Sequence, residues 1–222
     1  KFKEINRQLI PSEPRSIQIP CKIELSLGSY QVEVNNIAYP FQLRRNAPSQ
    51  ILYIPSTVES EEECGFIPSG DCIVGSNAEP KHPRKTVYVD SFYMQRHPVT
   101  NRQFIVFLNE LYLSGQQNLA WKYTPHSKGI SETDPQANSL YAWDDDQQSF
   151  FMPPDPQGDV WDLDWPVILI TTLSALKYAR WYSKHTGHSW RLPTPLEWEK
   201  SARGVDGRLL PWGNYFEPTW AA

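Results

Sequence analysis

Twenty of the 222 residues are proline, nearly twice the usual share of about 5%. Each proline fixes φ and removes a backbone donor, so it is tolerated poorly inside helices and central strands. Spread along the whole chain, they do not fit a helical bundle. They favour an α+β domain of short elements joined by irregular segments. Nine tryptophans within a 13% aromatic content supply the rings that fill space between such segments.

Lysine and arginine number 21 against 25 aspartates and glutamates, a net charge of −4. A uniformly basic coat for nucleic acid is therefore not expected. Apolar runs such as Val167–Ile170, after Pro166, are short, far from the roughly 20 residues that span a bilayer, so no membrane partner is expected either. Three cysteines, Cys21, Cys64 and Cys72, are too few and odd in number for a disulfide scaffold, which points to a reducing, cytoplasmic compartment. The start lacks both an initiator methionine and an apolar leader. A processed chain, or a piece of a longer protein, is the expectation.

Residues 1–20 read as a linker with a short helix over 2–10. Across 21–45 the pattern alternates: Ile23, Leu25, Leu27, then Tyr30, Val32, Val34, then Tyr39, Phe41, Leu43, with turns at Gly28-Ser29 and Asn35-Asn36. This predicts a three-stranded meander. Residues 46–63 read as a linker with a solvated acidic cluster at Glu59 and Glu61-Glu62-Glu63. From 64 onward a larger domain begins, with a strand expected over Thr86–Met94. Thr100 and Gln103 form a capping box ahead of Phe104, Phe107, Leu108 and Leu111, the stripe of an amphipathic helix. Residues 116–165 read as a long irregular aromatic insert. Pro166–Ile170 reads as a short buried strand. Thr171 or Thr172 caps a second helix with Ala175, Tyr178, Ala179 and Tyr182 on its apolar side. Thr194 and Glu197, with Pro195 at the first helical position, open a third that Gly204 ends.

The segment Arg191-Leu-Pro-Thr-Pro-Leu-Glu-Trp-Glu-Lys-Ser-Ala-Arg-Gly204, followed by Leu210-Pro-Trp-Gly213, resembles the sulfatase-modifying-factor family, the formylglycine-generating enzymes. Ile67–Gly70, Ile73–Ser76, Pro98–Asn101 with Phe104, Pro166-Val167 and Ala175–Trp181 follow the same family's order. The likeness is greatest to the form fused to bacterial serine/threonine protein kinases, and Leu27–Val34 is similar to PEGA-type β modules. No kinase motif is present: there is no glycine-rich phosphate loop, HRD or DFG. The resemblance implies a C-type-lectin-like fold, incomplete at its C-terminus over 64–222, and a kinase domain in the same full-length protein.

That family oxidises a substrate cysteine to formylglycine with O₂ and a copper ion held by two thiolates, ligands that suit Cu(I). The resemblance places that pair beyond Ala222, so copper is implied only for a longer chain, and no catalytic residue or metal ligand carries over to Cys21, Cys64 or Cys72. His82, His97, His126, His185 and His188 are scattered and make no metal motif. Asp144–Asp146, Asp155, Asp159, Asp162 and Asp164 lack EF-hand spacing and read as solvated loops. The motif residues Arg191, Pro193, Thr194, Glu197, Trp198, Glu199, Arg203 and Trp212 read as scaffold. Arg191 is expected to fork onto Glu197 or Glu199, and Trp198 and Trp212 to be core rings. Thr171, Thr172 and Ser174 stand where the family carries a tryptophan and an acidic residue. The functions these features suggest are a non-catalytic domain binding a protein or peptide ligand, the N-terminal portion of a formylglycine-generating oxidase, or a ligand-display protein with a diversified lectin-like face.

Overall fold

The structure, a computed structural model, describes residues 1–220 apart from 7, 47–50, 53, 55–62, 78–81 and 132. Most of the expected linker and acidic cluster at 46–63 lies outside the described residues. The chain divides into two compact units, Lys1–Arg96 with Pro193–Ala222, and His97–Leu192.

In the first unit the helix expected over 2–10 is replaced by an antiparallel hairpin, β1 (Phe2–Ile5) and β2 (Gln8–Pro11). Asn6 stands at φ 49° between them, a left-handed turn conformation that stops helix propagation and that asparagine tolerates. Next come β3 (Gly28–Val34) and β4 (Ile37–Leu43), closed by Asn35 and Asn36 at φ 52° and 62°. Two left-handed residues in a two-residue loop match the twist of a hairpin. Tyr30 lies directly opposite Phe41 and stacks on it at 5.5 Å. The first strand of the expected meander does not form: residues 21–26 have no strand partner. Gly28-Ser29, expected to turn the chain, instead begins β3 and pairs with Leu43 and Gln42, so nothing folds the preceding segment back.

Four further strands follow, β5 (Cys64–Ile67), β6 (Gly70–Val74), β7 (Lys85–Val89) and β8 (Phe92–Gln95). The run 86–94 is not one strand but two, broken at Asp90-Ser91, which lets β7 pair with β6 and β8 with β5. Cys72, Val74, Val89 and Val205 form the buried centre, with Val87 and Phe92 against it.

The second unit holds α1 (Asn101–Leu113), α2 (Gln117–Tyr123), the hairpin β9 (Ala142–Asp144) and β10 (Ser149–Phe151), and α3 (Thr172–Thr186). The capping box of Thr100 and Gln103 is present as expected. The 116–165 insert is less irregular than its composition suggests, because α2 and the β9–β10 hairpin wrap rings around α1. Phe104, Phe107, Leu108, Trp121, Tyr141, Phe150 and Tyr178 are buried together. Asn109 on α1 fixes β10, accepting from the Phe150 amide at 2.7 Å and donating to Ser149 Oγ at 2.9 Å. The strand expected over 166–170 is reduced to a single bridge between Pro166 and Thr100. Leu169 takes φ 59°, and both it and Ile168 are exposed. The acidic residues there terminate turns: Asp144 accepts the amides of Asp146 and Gln147, and Asp155 those of Gln157 and Asp159.

Candidate functional site

The motif richest in family signal lies on α4 (Pro195–Arg203), in the first unit. Thr194 caps it reciprocally: its Oγ1 accepts the Glu197 amide at 3.3 Å, and its own amide donates to Glu197 Oε2 at 2.7 Å. Gly204, at φ 74°, ends the helix. The polarity of this helix is inverted. Its buried side chains are Glu197 and Lys200, while Leu196 is 36% and Trp198 62% exposed. Trp198 is therefore not the core ring expected. Trp212 is half-buried, its indole N–H donating to the Tyr215 carbonyl at 2.8 Å and its ring edge-on to Trp220.

Lys200 is the residue sequence reasoning missed. Only 4% exposed, its ammonium donates to the carbonyls of Pro68 at 2.6 Å, Gly70 at 3.2 Å and Val89 at 3.2 Å. Three donors meet three acceptors, which fills the hydrogen-bonding capacity of an ammonium. Burial pulls its pKa below the ordinary lysine value, partly opposed by the neighbouring Cys72, Asp71 and Asp90. The available signal was spacing: Lys200 follows the cap residue Glu197 by three and so shares its face. Lysine's rarity in interiors hides that signal.

A second network fixes the same helix. Glu199 pairs with Arg203, four residues on, and also accepts the Gly75 amide at 2.8 Å. Arg203 donates in turn to the carbonyls of Arg208, Gly75 and Gly207. Arg191 donates to the carbonyl of Leu192. Pro193, Thr194, Pro195, Trp198, Glu199 and Arg203 line a shallow groove of about 530 Å³. Its lining thus joins an engaged ion pair to an exposed indole and two prolines.

The histidines do not converge. His126 is buried, its ring nitrogens 2.6 and 3.1 Å from the carbonyls of Thr124 and Pro135, and His185 lies 3.0 Å from Glu110. Among the described residues no group of three or more His, Cys, Asp or Glu side chains is arranged to hold a metal ion, and no helix is long and apolar enough to cross a membrane. Thr171 and Ser174 serve as the cap of α3, the Ser174 amide donating to Thr171 Oγ1 at 3.0 Å.

Capped helices, small antiparallel sheets and a proline–tryptophan groove define a mixed α+β domain with family-specific punctuation. Residues 51–222 match the family described as Sulfatase-modifying factor enzyme 1-like domain, and the chain belongs to that family. It is similar to the Inactive C-alpha-formylglycine-generating enzyme 2 of Mus musculus, 29% identical over 163 residues covering 68% of this chain and 51% of that protein. It is similar to the Formylglycine-generating enzyme of Thermomonospora curvata, 30% identical over 143 residues, 61% of this chain and 45% of that one. It also matches Serine/threonine-protein kinase pkn1 of Chlamydia caviae, 30% identical over 165 residues, 72% of this chain and 22% of the kinase. The chain spans about half the length of the first curated relatives it matches.

Cu(I) wants two converging thiolates. Cys64 and Cys72 are buried on β5 and β6, which pair with different strands, and Cys21 is exposed and precedes the matched region. Burial pushes the Cys72 thiol up, against the lowering influence of Lys200, the reverse of what a thiolate ligand requires. In the native chain a thiol reagent should therefore modify Cys21 quickly, and Cys64 and Cys72 only with unfolding. Ellman titration with and without denaturant reads this, and three fast thiols in the native protein would contradict it.

Proposed function

We propose that this chain is a non-catalytic binding or regulatory module of a serine/threonine-kinase-type protein, built on a C-type-lectin-like fold and working in the cytoplasm. The observation that carries the reading is the inverted polarity of α4: its charges are committed inward and its indole is presented outward. A helix arranged for chemistry would offer titratable groups; this one offers an aromatic platform between prolines. The ligand is a protein or peptide segment that stacks on Trp198, as aromatic anchors commonly do at interfaces. The relatives support this reading, since one is named an inactive enzyme and another a kinase. The β3–β4 hairpin is consistent with a PEGA-like module ahead of the family domain. The oxidase alternative is supported by the relatives named as formylglycine-generating enzymes, and it requires thiolates from polypeptide beyond Ala222.

Selection of displayed peptides against the chain, with Trp198→Ala as the counter-target, tests the proposal. The substitution should leave the unfolding free energy within about 0.5 kcal/mol, since the ring is exposed, and weaken the selected peptides by tenfold or more. Peptides that bind both forms equally would refute a role for the groove.

A further inference from the structure

Residues 13–27 are exposed throughout, and Cys21 to Leu25 make no backbone hydrogen bond to the rest of the described chain. Yet the segment has the pattern of a strand, with Cys21, Ile23 and Leu25 on one face and Lys22 and Glu24 on the other. Ile23 and Leu25 are 45% and 42% exposed. Its C-terminal end is tethered, the Tyr30 hydroxyl donating to the Ser26 carbonyl at 2.6 Å and Lys1 Nζ to Ser26 Oγ at 3.0 Å. A segment with a strand's alternation and an unpaired backbone is a template for another strand.

We propose that residues 21–25 pair antiparallel with the same residues of a second copy of this chain, centred on Ile23. In that register Ile23 faces Ile23, Cys21 faces Leu25, and Lys22 faces Glu24, each of the last two pairings occurring twice. All the apolar side chains fall on one face, and two opposite-charge pairs stand on the other. Neighbouring registers fail on the same residues. A one-residue slip sets Ile23 against Lys22 or Glu24, mixing the faces. A two-residue slip sets Lys22 against Lys22, or Glu24 against Glu24, and like charges directly opposite are unfavourable. The partner is a second copy because the segment's charge order is complementary to its own reversal. Such a pairing is isologous and closes on itself as a dimer instead of propagating into a fibre.

The test uses the full chain carrying Cys21→Ser. Adding Ile23→Cys places two thiols across the two-fold axis, and mild diamide oxidation should convert most of it to a covalent dimer. Adding Glu24→Cys instead should give little. In parallel, sedimentation equilibrium should show a concentration-dependent dimer that Lys22→Glu weakens about tenfold, by setting glutamate against glutamate twice. The charge swap Lys22→Glu with Glu24→Lys should restore it. A chain that stays monomeric at high concentration, equal cross-linking at 23 and 24, or a swap that fails to restore association would each overturn the proposal.

Discussion

Replacing Lys200 by methionine is expected to lower the unfolding free energy by about 3 kcal/mol. The side chain length is kept, so the loss reads the ammonium and not a cavity. Three backbone carbonyls, those of Pro68, Gly70 and Val89, lose their donor. A buried acceptor left without a partner costs about 1–3 kcal/mol. Part of that sum is offset, because methionine removes the desolvation penalty that depresses the Lys200 pKa. Lys3→Met, at an exposed residue of β1, is the control and should change stability by less than about 0.5 kcal/mol. Urea unfolding of the two variants decides the matter. Equal stability would mean that Lys200 does not tie α4 to the strands around β6.

Gly75→Ala is the second large effect, again about 3 kcal/mol. Gly75 stands at φ 78°, where an added Cβ comes within 2.5 Å of the Pro83 carbonyl oxygen and 2.6 Å of that of His82. Left-handed backbone costs a residue with a Cβ about 1–2 kcal/mol, and displacing two backbone carbonyls adds overpacking strain of about 1–3 kcal/mol. The same glycine donates to Glu199 and accepts from Arg203, so moving it loosens the ion pair that lines the groove. Gly115→Ala separates the two contributions. Its φ is 84° with nothing within 4 Å of the added carbon, so only the backbone cost, about 1 kcal/mol, should appear in its thermal or urea midpoint. Equal losses at the two positions would remove the packing argument.

What was legible in the sequence was local. Thr100 with Gln103 and Thr194 with Glu197 sit at the spacing a capping box demands, and both caps form. Asn35-Asn36 satisfies the φ requirement of a hairpin turn and makes one. What was not legible depends on pairing at a distance. The alternation of Ile23, Leu25 and Leu27 says strand, but no local rule supplies its partner. The run 86–94 says strand too, but whether it serves one neighbour or two is settled by β5 and β6. The faces of α4 were not legible for a different reason. Hydrophobicity places Trp198 inside and Lys200 outside, and α4 does the opposite, because Lys200 reaches in to donate to the carbonyls of Pro68, Gly70 and Val89.

Cys64 and Cys72 are core residues, α4 is the proposed recognition surface, and among the described residues no metal-holding cluster of three or more side chains is present. Competition for Cu(I) against bathocuproine disulfonate measures that directly. The prediction is that the chelator keeps all the copper and the protein takes up none at equal concentration. One Cu(I) retained per chain, and lost on replacing Cys64 or Cys72 by serine, would contradict it.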